Sequence, residues 1–490
     1  MDKTQEFSKV RRILFPVYGN ELRMFIPMAS MFMIITLCYG LLRSLKDMYF
    51  MHFAGCAEVF PFLKTYMVTP FMVGFTILYA QMSKRYGRDT LFKLVIGYFL
   101  IVISLCYFIF IPNIEFFKLD SIADDLLGKF PKMKGLWEVI RFWPCTLLYL
   151  HGEGWGTFAL GVSFWTLAND IVSLAQAKRI YSFFSIGAGV GSIAAGVLLK
   201  VIGEDFRSGL GLAVIGAFVV LIINHLFSKD MKNHPELYMQ LSSEPKKVKK
   251  PKQKLSFGES LKFLAKSKHL ALIATLVLCY GASANLFEAT FKSQLTKLSK
   301  IVGKGVLADI YGDQAIFVGV LGIALAFTSS FFMKRGWKFA ASATPIMTFI
   351  ATTLFFVFLY ASDFFSDLLG DSEFGAAKFL KISVLFGLFN VVFIRATKYI
   401  LFDPTKEQAY IPLDEDSKVR GKAAVDGIGS RLGKSGGAAV LSVILIPLLG
   451  SIDNARPFIC IFIFIFLFLW IRAVGKLSRL LSKDEEKSGA

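Results

Sequence analysis

Runs of about 17 to 25 apolar residues recur along the whole chain, separated by short charged turns. At about 1.5 Å of rise per helical residue, each run is long enough for the roughly 30 Å hydrocarbon layer of a bilayer. Hydrocarbon offers no partners to backbone N–H and C=O groups, so segments of this length cross as helices. Barrel strands are shorter and alternate apolar with polar residues, which these runs do not. The expected fold class is therefore an all-α polytopic membrane protein. A chain of 490 residues would otherwise suggest several soluble domains, but 55% hydrophobic residues and 51 Phe decide against that reading.

Twelve transmembrane helices are expected, near 25–45, 66–82, 91–111, 144–168, 181–202, 208–227, 269–290, 314–333, 339–360, 378–402, 435–450 and 456–474. The division that follows is a cytoplasmic leader (1–24), an N-terminal six-helix half (25–227), a basic linker (228–268), a C-terminal six-helix half (269–474) and a cytoplasmic tail (475–490). The linker holds eleven lysines against four acids, including EPKKVKKPKQK, and cannot bury a core. The first apolar run continues to Leu42 and meets charged residues, unlike a signal peptide, so it reads as a retained helix. The short leader before it favours a bacterial inner membrane over a plastid one.

The net charge of +19 does not indicate nucleic acid, because the cations lie between apolar runs rather than along one soluble face. Lipid is the implied partner. SKRYGRD at 83–89, AKR at 177–179, the linker and MKRGWK at 333–338 fall on one side together with both termini, which the positive-inside rule places in the cytoplasm. Six cysteines lie scattered without C-x-x-C spacing and read as packing residues; no metal site and no cofactor are expected.

The two halves repeat. LCYG occurs at 37–40 and again at 278–281, and Lys84-Arg85 corresponds to Lys334-Arg335. AKRIYSFFSIGAGVGSIAAG at 177–196 matches GKAAVDGIGSRLGKSGGAAV at 421–440, aligning Gly189 with Gly433. Three matches in one order at nearly one offset indicate an internal duplication. Two parallel six-helix repeats resemble the major facilitator architecture, in which substrate binds near the bilayer midplane between halves that rock.

A charge in the middle of a spanning helix costs about 2.5 to 3.5 kcal/mol on insertion scales, so charges retained there face a cavity or a partner. The first helix ends in LLRSLKD, where Arg43 and Lys46 share a face and Arg43 could pair with Asp47. This is either a snorkelling helix end or a basic wall for an anion. In HGEGWG at 151–156, Glu153 sits between glycines that allow close helix approach, and serves a buried pair with a lysine or transport itself. Asn285, Glu288 and Lys292 form one polar stripe on the seventh helix. Glu288 either pairs with Lys292 or carries a proton; Asn285 has the amide donor and acceptor suited to a nucleobase edge.

GSRLGKSGG at 429–437 suggests a nucleotide-binding loop, but Ile428 stands where G-x-x-x-x-G-K-[ST] needs glycine. A lysine near a helix N-terminus binds phosphate without that loop, which makes Lys434 a candidate. An ATPase fails on loop length; a carrier for another organic anion remains as a rival reading.

RSLKD, FLKTY at 62–66, NLFEATFKSQL, LFDPTKEQAYIPLDEDSKVRGKAA and RLGKSGGA together resemble the nucleotide transporters, or ATP/ADP translocases, of plastids and of obligate intracellular bacteria such as chlamydiae and rickettsiae. That resemblance implies four charged transport residues, which match Lys46, Glu153, Glu288 and Lys434. The helix 4 motif departs from the family's A-E-L-W-G, reading Gly152-Glu153-Gly154-Trp155-Gly156. It further implies import of ATP in exchange for ADP by alternating access, without enzymatic hydrolysis. Lys46, Arg43 and Lys434 would attract the polyphosphate and Asn285 the base, while Glu153, Glu288 and Lys292 balance charge or couple transport. The alternative is proton-coupled import of nucleoside triphosphates, or transport of a broad range of nucleotides.

Overall fold

The computed structural model describes residues 17–172, 174–235, 267–369, 373–414, 421–422, 425 and 430–488. Every regular element among them is helical. The first half comprises α1 (Leu22–Phe53), α2 (Val59–Arg85), α3 (Arg88–Phe110), α4 (Trp143–Gly154, continued by Trp155–Ser163 and Phe164–Ile171), α5 (Leu174–Ile202) and α6 (Phe206–Asn233). The second comprises α7 (Lys268–Val302), α8 (Gly305–Lys334), α9 (Trp337–Leu369), α10 (Glu373–Thr397), α11 (Ser430–Ala439, continued by Val440–Leu445 and Ile446–Leu449) and α12 (Ile452–Ser488). Among the described residues, nine helices are long and apolar enough to cross a membrane, and Ile186–Ile202 of α5 and Gly436–Leu449 of α11 are shorter apolar helices. The chain is a multi-pass membrane protein.

Three boundaries differ from the sequence reading in a way that matters. α1 runs on to Phe53 instead of ending near 45, α2 begins at Val59 instead of 66, and α8 at Gly305 instead of 314. Hydropathy falls where charges gather, so a reading by apolar runs stops there; the helices continue because those charges pair inside the bundle. α12 likewise carries the expected tail as helix as far as Ser488. Much of the stretch between α10 and α11 lies outside the described residues. Its first part runs through the π-helical turn Lys398–Phe402 into the short helix Asp403–Gln408, where Thr405 O accepts from Trp337 of α9 at 2.8 Å.

Small residues pack α1 on α5 and α7 on α11, although Gly189, aligned with Gly433 in sequence, faces Gly319 and Ile323 of α8 while Gly433 faces α7. On α1, Gly40 faces α5, where an added Cβ would meet Ala195 at 2.6 Å; on α7, Gly281 faces α11, its Cα 3.3 Å from where a Cβ at Gly433 would stand. Gly191 of α5 lies against Met33 O of α1, and Gly433 and Gly437 of α11 lie against carbonyls of α7. Small residues at these positions let backbones approach closely, which is how helices associate in lipid. α5 and α8 meet across the halves in the same manner. A Cβ on Gly196 would stand 2.4 Å from Gly312 O. Gly196→Leu is therefore expected to destabilise the protein by about 1–3 kcal/mol, read as a lower melting temperature in detergent. An unchanged melting temperature would show that α5 and α8 do not touch there.

Connectivity places the α1–α2, α5–α6, α7–α8 and α11–α12 turns at the end of the bundle away from the chain termini. Polar contacts cross between the halves at this far end. Glu58 accepts from Ile452 N at 3.0 Å, Glu204 accepts from Gly305 N at 2.9 Å, Lys200 pairs with Asp313 at 2.6 Å, and Lys132 donates to Leu448 O at 2.8 Å. At the terminal end, Arg23–Asp230 and Arg88–Asp170 join helices of the first half, and His269 to Ala409 O joins elements of the second. The segment between α3 and α4 folds as short helices around Arg141, which pairs with Asp120, Asp124 and Glu138. The six cysteines are free; Cys38, Cys106, Cys145 and Cys279 are buried as packing residues.

Candidate functional site

The charges in the spanning helices converge on one cluster between the halves. Lys46 Nζ lies 2.8 Å from Asp47 Oδ1 and 2.9 Å from Glu153 Oε1, with its ammonium 3.8 Å from the Tyr149 ring centroid. Asp47 Oδ2 faces Lys292 Nζ at 2.8 Å and accepts from Tyr311 OH at 3.3 Å. Lys292 also meets Glu288 Oε1 at 3.3 Å, the pairing its i,i+4 spacing allows, and lies over the Phe60 ring. Glu288 collects two further cations, Lys64 at 3.2 Å and Arg395 at 3.3 Å. Asn285 accepts from Lys64 at 3.0 Å and donates to Gly281 O of its own helix at 2.9 Å. Arg43 donates to Tyr39 OH at 3.1 Å and stands within electrostatic reach of Glu153 and Glu288.

Local sequence explains the placement. In α4, a Cβ on Gly152 would meet the Lys46 stem at 3.0 Å and Leu42 O at 3.2 Å, and one on Gly156 would meet the Tyr39 ring. The two glycines thus bring α4 onto α1 and set Glu153 beside Lys46, as the sequence suggested, and Trp155 Nε1 fixes the contact by donating to Ile35 O at 3.0 Å. Lys64 sits in the π-helical turn Leu63–Val68, and a second π-helical stretch, Trp155–Ser163, begins two residues after Glu153. Such widened turns shift side chains off the regular helical face and recur at functional sites.

The cluster is graded from buried to accessible. Lys46, Asp47 and Lys292, nearer the far end along α1 and α7, have side chains only 2–3% exposed. Glu288, one turn closer to the terminal end of α7, is 22% exposed, and Glu153 is 36% exposed. Exposure thus rises along α7 towards the side of the termini. Among the described residues, five cations (Arg43, Lys46, Lys64, Lys292, Arg395) face three carboxylates (Asp47, Glu153, Glu288), an excess of two positive charges suited to a polyanion.

Of the residues singled out from sequence, Lys46, Glu153, Asn285, Glu288 and Lys292 come together here, with Arg43 alongside. Asp47, expected as an Arg43 partner, is taken up by Lys46 and Lys292. Lys434 lies on α11, where Gly433 and Gly437 pack on α7 and Gly437 abuts Asn285; the Lys434 side chain lies outside the described residues. Near the terminal end of α4, Asn169 accepts from Tyr181 of α5 and Asp170 pairs with Arg88 of α3. Lys64, Arg395 and Tyr311 were missed. Arg395 was legible, since it is a lone arginine inside an apolar run; the other two fell outside helices drawn too short.

A family model described as TLC ATP/ADP transporter matches residues 1–481 of this chain. The chain belongs to that family. ADP,ATP carrier protein 1 of Rickettsia prowazekii (strain Madrid E) is 34% identical over 501 residues, covering 98% of this chain and 98% of that protein. ADP,ATP carrier protein 1 of Chlamydia trachomatis serovar D is 31% identical over 501 residues, covering 98% and 93%. The chloroplastic ADP,ATP carrier protein 1 of Arabidopsis thaliana is 34% identical over 486 residues, covering 96% and 77%. Among solved structures, a bacterial homologue of the iron transporter ferroportin in an inward-facing state superposes with a TM-score of 0.51 at 12% identity, covering 96% of this chain and 100% of that one. That likeness shows a shared transporter fold alone.

Loss of Arg395 leaves the other pairs of the cluster intact, because Glu288 keeps Lys64 and Lys292. Arg395→Gln is expected to raise the KM for a nucleotide about tenfold, the effect of losing one charge-assisted contact of about 1.4 kcal/mol. An unchanged KM in reconstituted vesicles would remove Arg395 from the site.

Proposed function

We propose that this transporter imports ATP in exchange for ADP by alternating access of the cluster between its halves, carrying the nucleotide through intact. The observation that carries this reading is the excess of cations over carboxylates at a buried, interhelical site in a chain of the ATP/ADP transporter family. Lys46, Lys64 and Arg395, with Arg43 and Lys434, supply positive charge for the phosphates. Asn285 would turn its amide to the base on leaving Lys64, and Glu153, Glu288 and Lys292 balance charge as the phosphates come and go. The names of the relatives, ADP,ATP carrier proteins, support the same cargo.

The expected setting is a bacterial inner membrane with both termini cytoplasmic, supported by the basic turns on the terminal side. ATP carries about one more negative charge than ADP, so exchange moves net charge and responds to membrane voltage. The test is a panel of unlabelled nucleoside di- and triphosphates competing against labelled ATP in proteoliposomes. Competition by ATP and ADP alone, at similar concentrations, is the expected result; equal competition by all triphosphates, or by unrelated organic anions, would overturn the assignment of cargo.

A further inference from the structure

The ion pairs of the cluster differ in which helices they join. Lys46–Glu153 joins two helices of the first half, and Glu288–Arg395 joins two of the second. Asp47–Lys292 joins the halves, as do Tyr311 to Asp47 and Lys64 to Glu288 and Asn285. Asp47 stands at the buried, far-end side of the cluster, with one carboxylate oxygen on a lysine of its own half and the other on a lysine and a tyrosine of the opposite half. Beyond it the halves are joined again at the far end by Lys200–Asp313 and Glu204–Gly305. Opening the far side requires the Asp47–Lys292 bridge to part within a nearly dry environment, where separated charges are costly.

We propose that Asp47 is the positioning residue that makes transport an obligatory exchange. Its carboxylate clamps Lys292 to the first half, so a carrier holding no nucleotide keeps its halves joined at the centre. A nucleotide polyphosphate presents several oxygens to the same cations. It takes Lys46 and Lys292 from Asp47 without leaving either lysine unpaired, and the halves can then part around it. The ligand thereby changes the equilibrium through its differential contacts in the two arrangements, the condition any such switch must meet. The proposal rests on the exchange reading above.

Asp47→Asn tests it directly, because the substitution cuts the bridge while Lys46 keeps Glu153 and Lys292 keeps Glu288. Labelled ATP uptake is measured into proteoliposomes that are empty or loaded with ADP. For the native protein, loaded vesicles are expected to exceed empty ones by at least about tenfold. For Asp47→Asn the ratio is expected to fall towards one, through faster uptake into empty vesicles. An Asp47→Asn ratio equal to the native one overturns the latch while leaving exchange intact. Native uptake that is equally fast into empty vesicles overturns the exchange reading itself.

A second measurement decides the matter even if Asp47→Asn carries nothing. A cysteine pair at Lys200 and Asp313 reports closure of the far end through disulfide formation in membranes. Without nucleotide, cross-linking is expected to be fast beside native Asp47 and at least about threefold slower beside Asp47→Asn, with ATP slowing only the former. Equal cross-linking in both backgrounds contradicts the proposal.

Discussion

Lys46→Ala is expected to lower nucleotide uptake by at least about 100-fold, some 2.7 kcal/mol, while the protein still inserts and folds. The separation follows from its partners. Lys46 is 3% exposed and lies between Asp47 and Glu153. When it is removed, Asp47 retains Lys292 at 2.8 Å, and Glu153, 36% exposed, can be hydrated. No buried charge is stranded, so the bundle survives. What disappears is a cation that touches carboxylates of both α1 and α4. Labelled ATP uptake, normalised to reconstituted protein, gives the answer, and uptake within about threefold of native would take Lys46 out of the site.

Lys292→Met behaves oppositely and is expected to act first on stability. Lys292 is 2% exposed and stands between Asp47 and Glu288, so its loss leaves Asp47 with Lys46 and the Tyr311 hydroxyl and Glu288 with Lys64 and Arg395, but removes the cation that separates two largely buried carboxylates. Removing one partner of a buried pair typically costs about 3–5 kcal/mol, whereas replacing both partners by neutral groups is often close to neutral. The single variant should therefore melt well below the native protein, and Lys292→Met combined with Asp47→Asn should recover most of the loss. Thermal unfolding in one detergent measures all three variants. Additive destabilisation in the double variant would show that the two residues do not depend on each other.

Sequence carried the fold further than it carried the site. Apolar runs and the repeated LCYG and glycine segments were enough to draw the helices and their duplication, because helix packing in lipid depends on length and on small residues that the letters display. Intramembrane charge singled out Lys46, Glu153, Glu288 and Lys292 for the same reason: a charge held in hydrocarbon must have a partner. The partners were harder to name. Lys64 and Tyr311 stand where charged and polar residues end the apolar run, so a boundary drawn by hydropathy excludes them although the helices do not stop there. Asp47 was assigned locally to Arg43, and only three-dimensional placement brings Lys292, 245 positions away in sequence, to its other oxygen. Spacing along one helix predicts neighbours on that helix; it says nothing of which foreign helix lies opposite.

In the function proposed here, nucleotides exchange across the protein, with net charge moving and no bond cleaved. Proteoliposomes containing one label on internal ADP and another on external ATP measure both fluxes at once. One ADP leaving for each ATP entering, with negligible uptake into vesicles lacking internal nucleotide, is the result expected. Undiminished ATP uptake into empty vesicles under a proton gradient, or release of inorganic phosphate in step with transport, would contradict it.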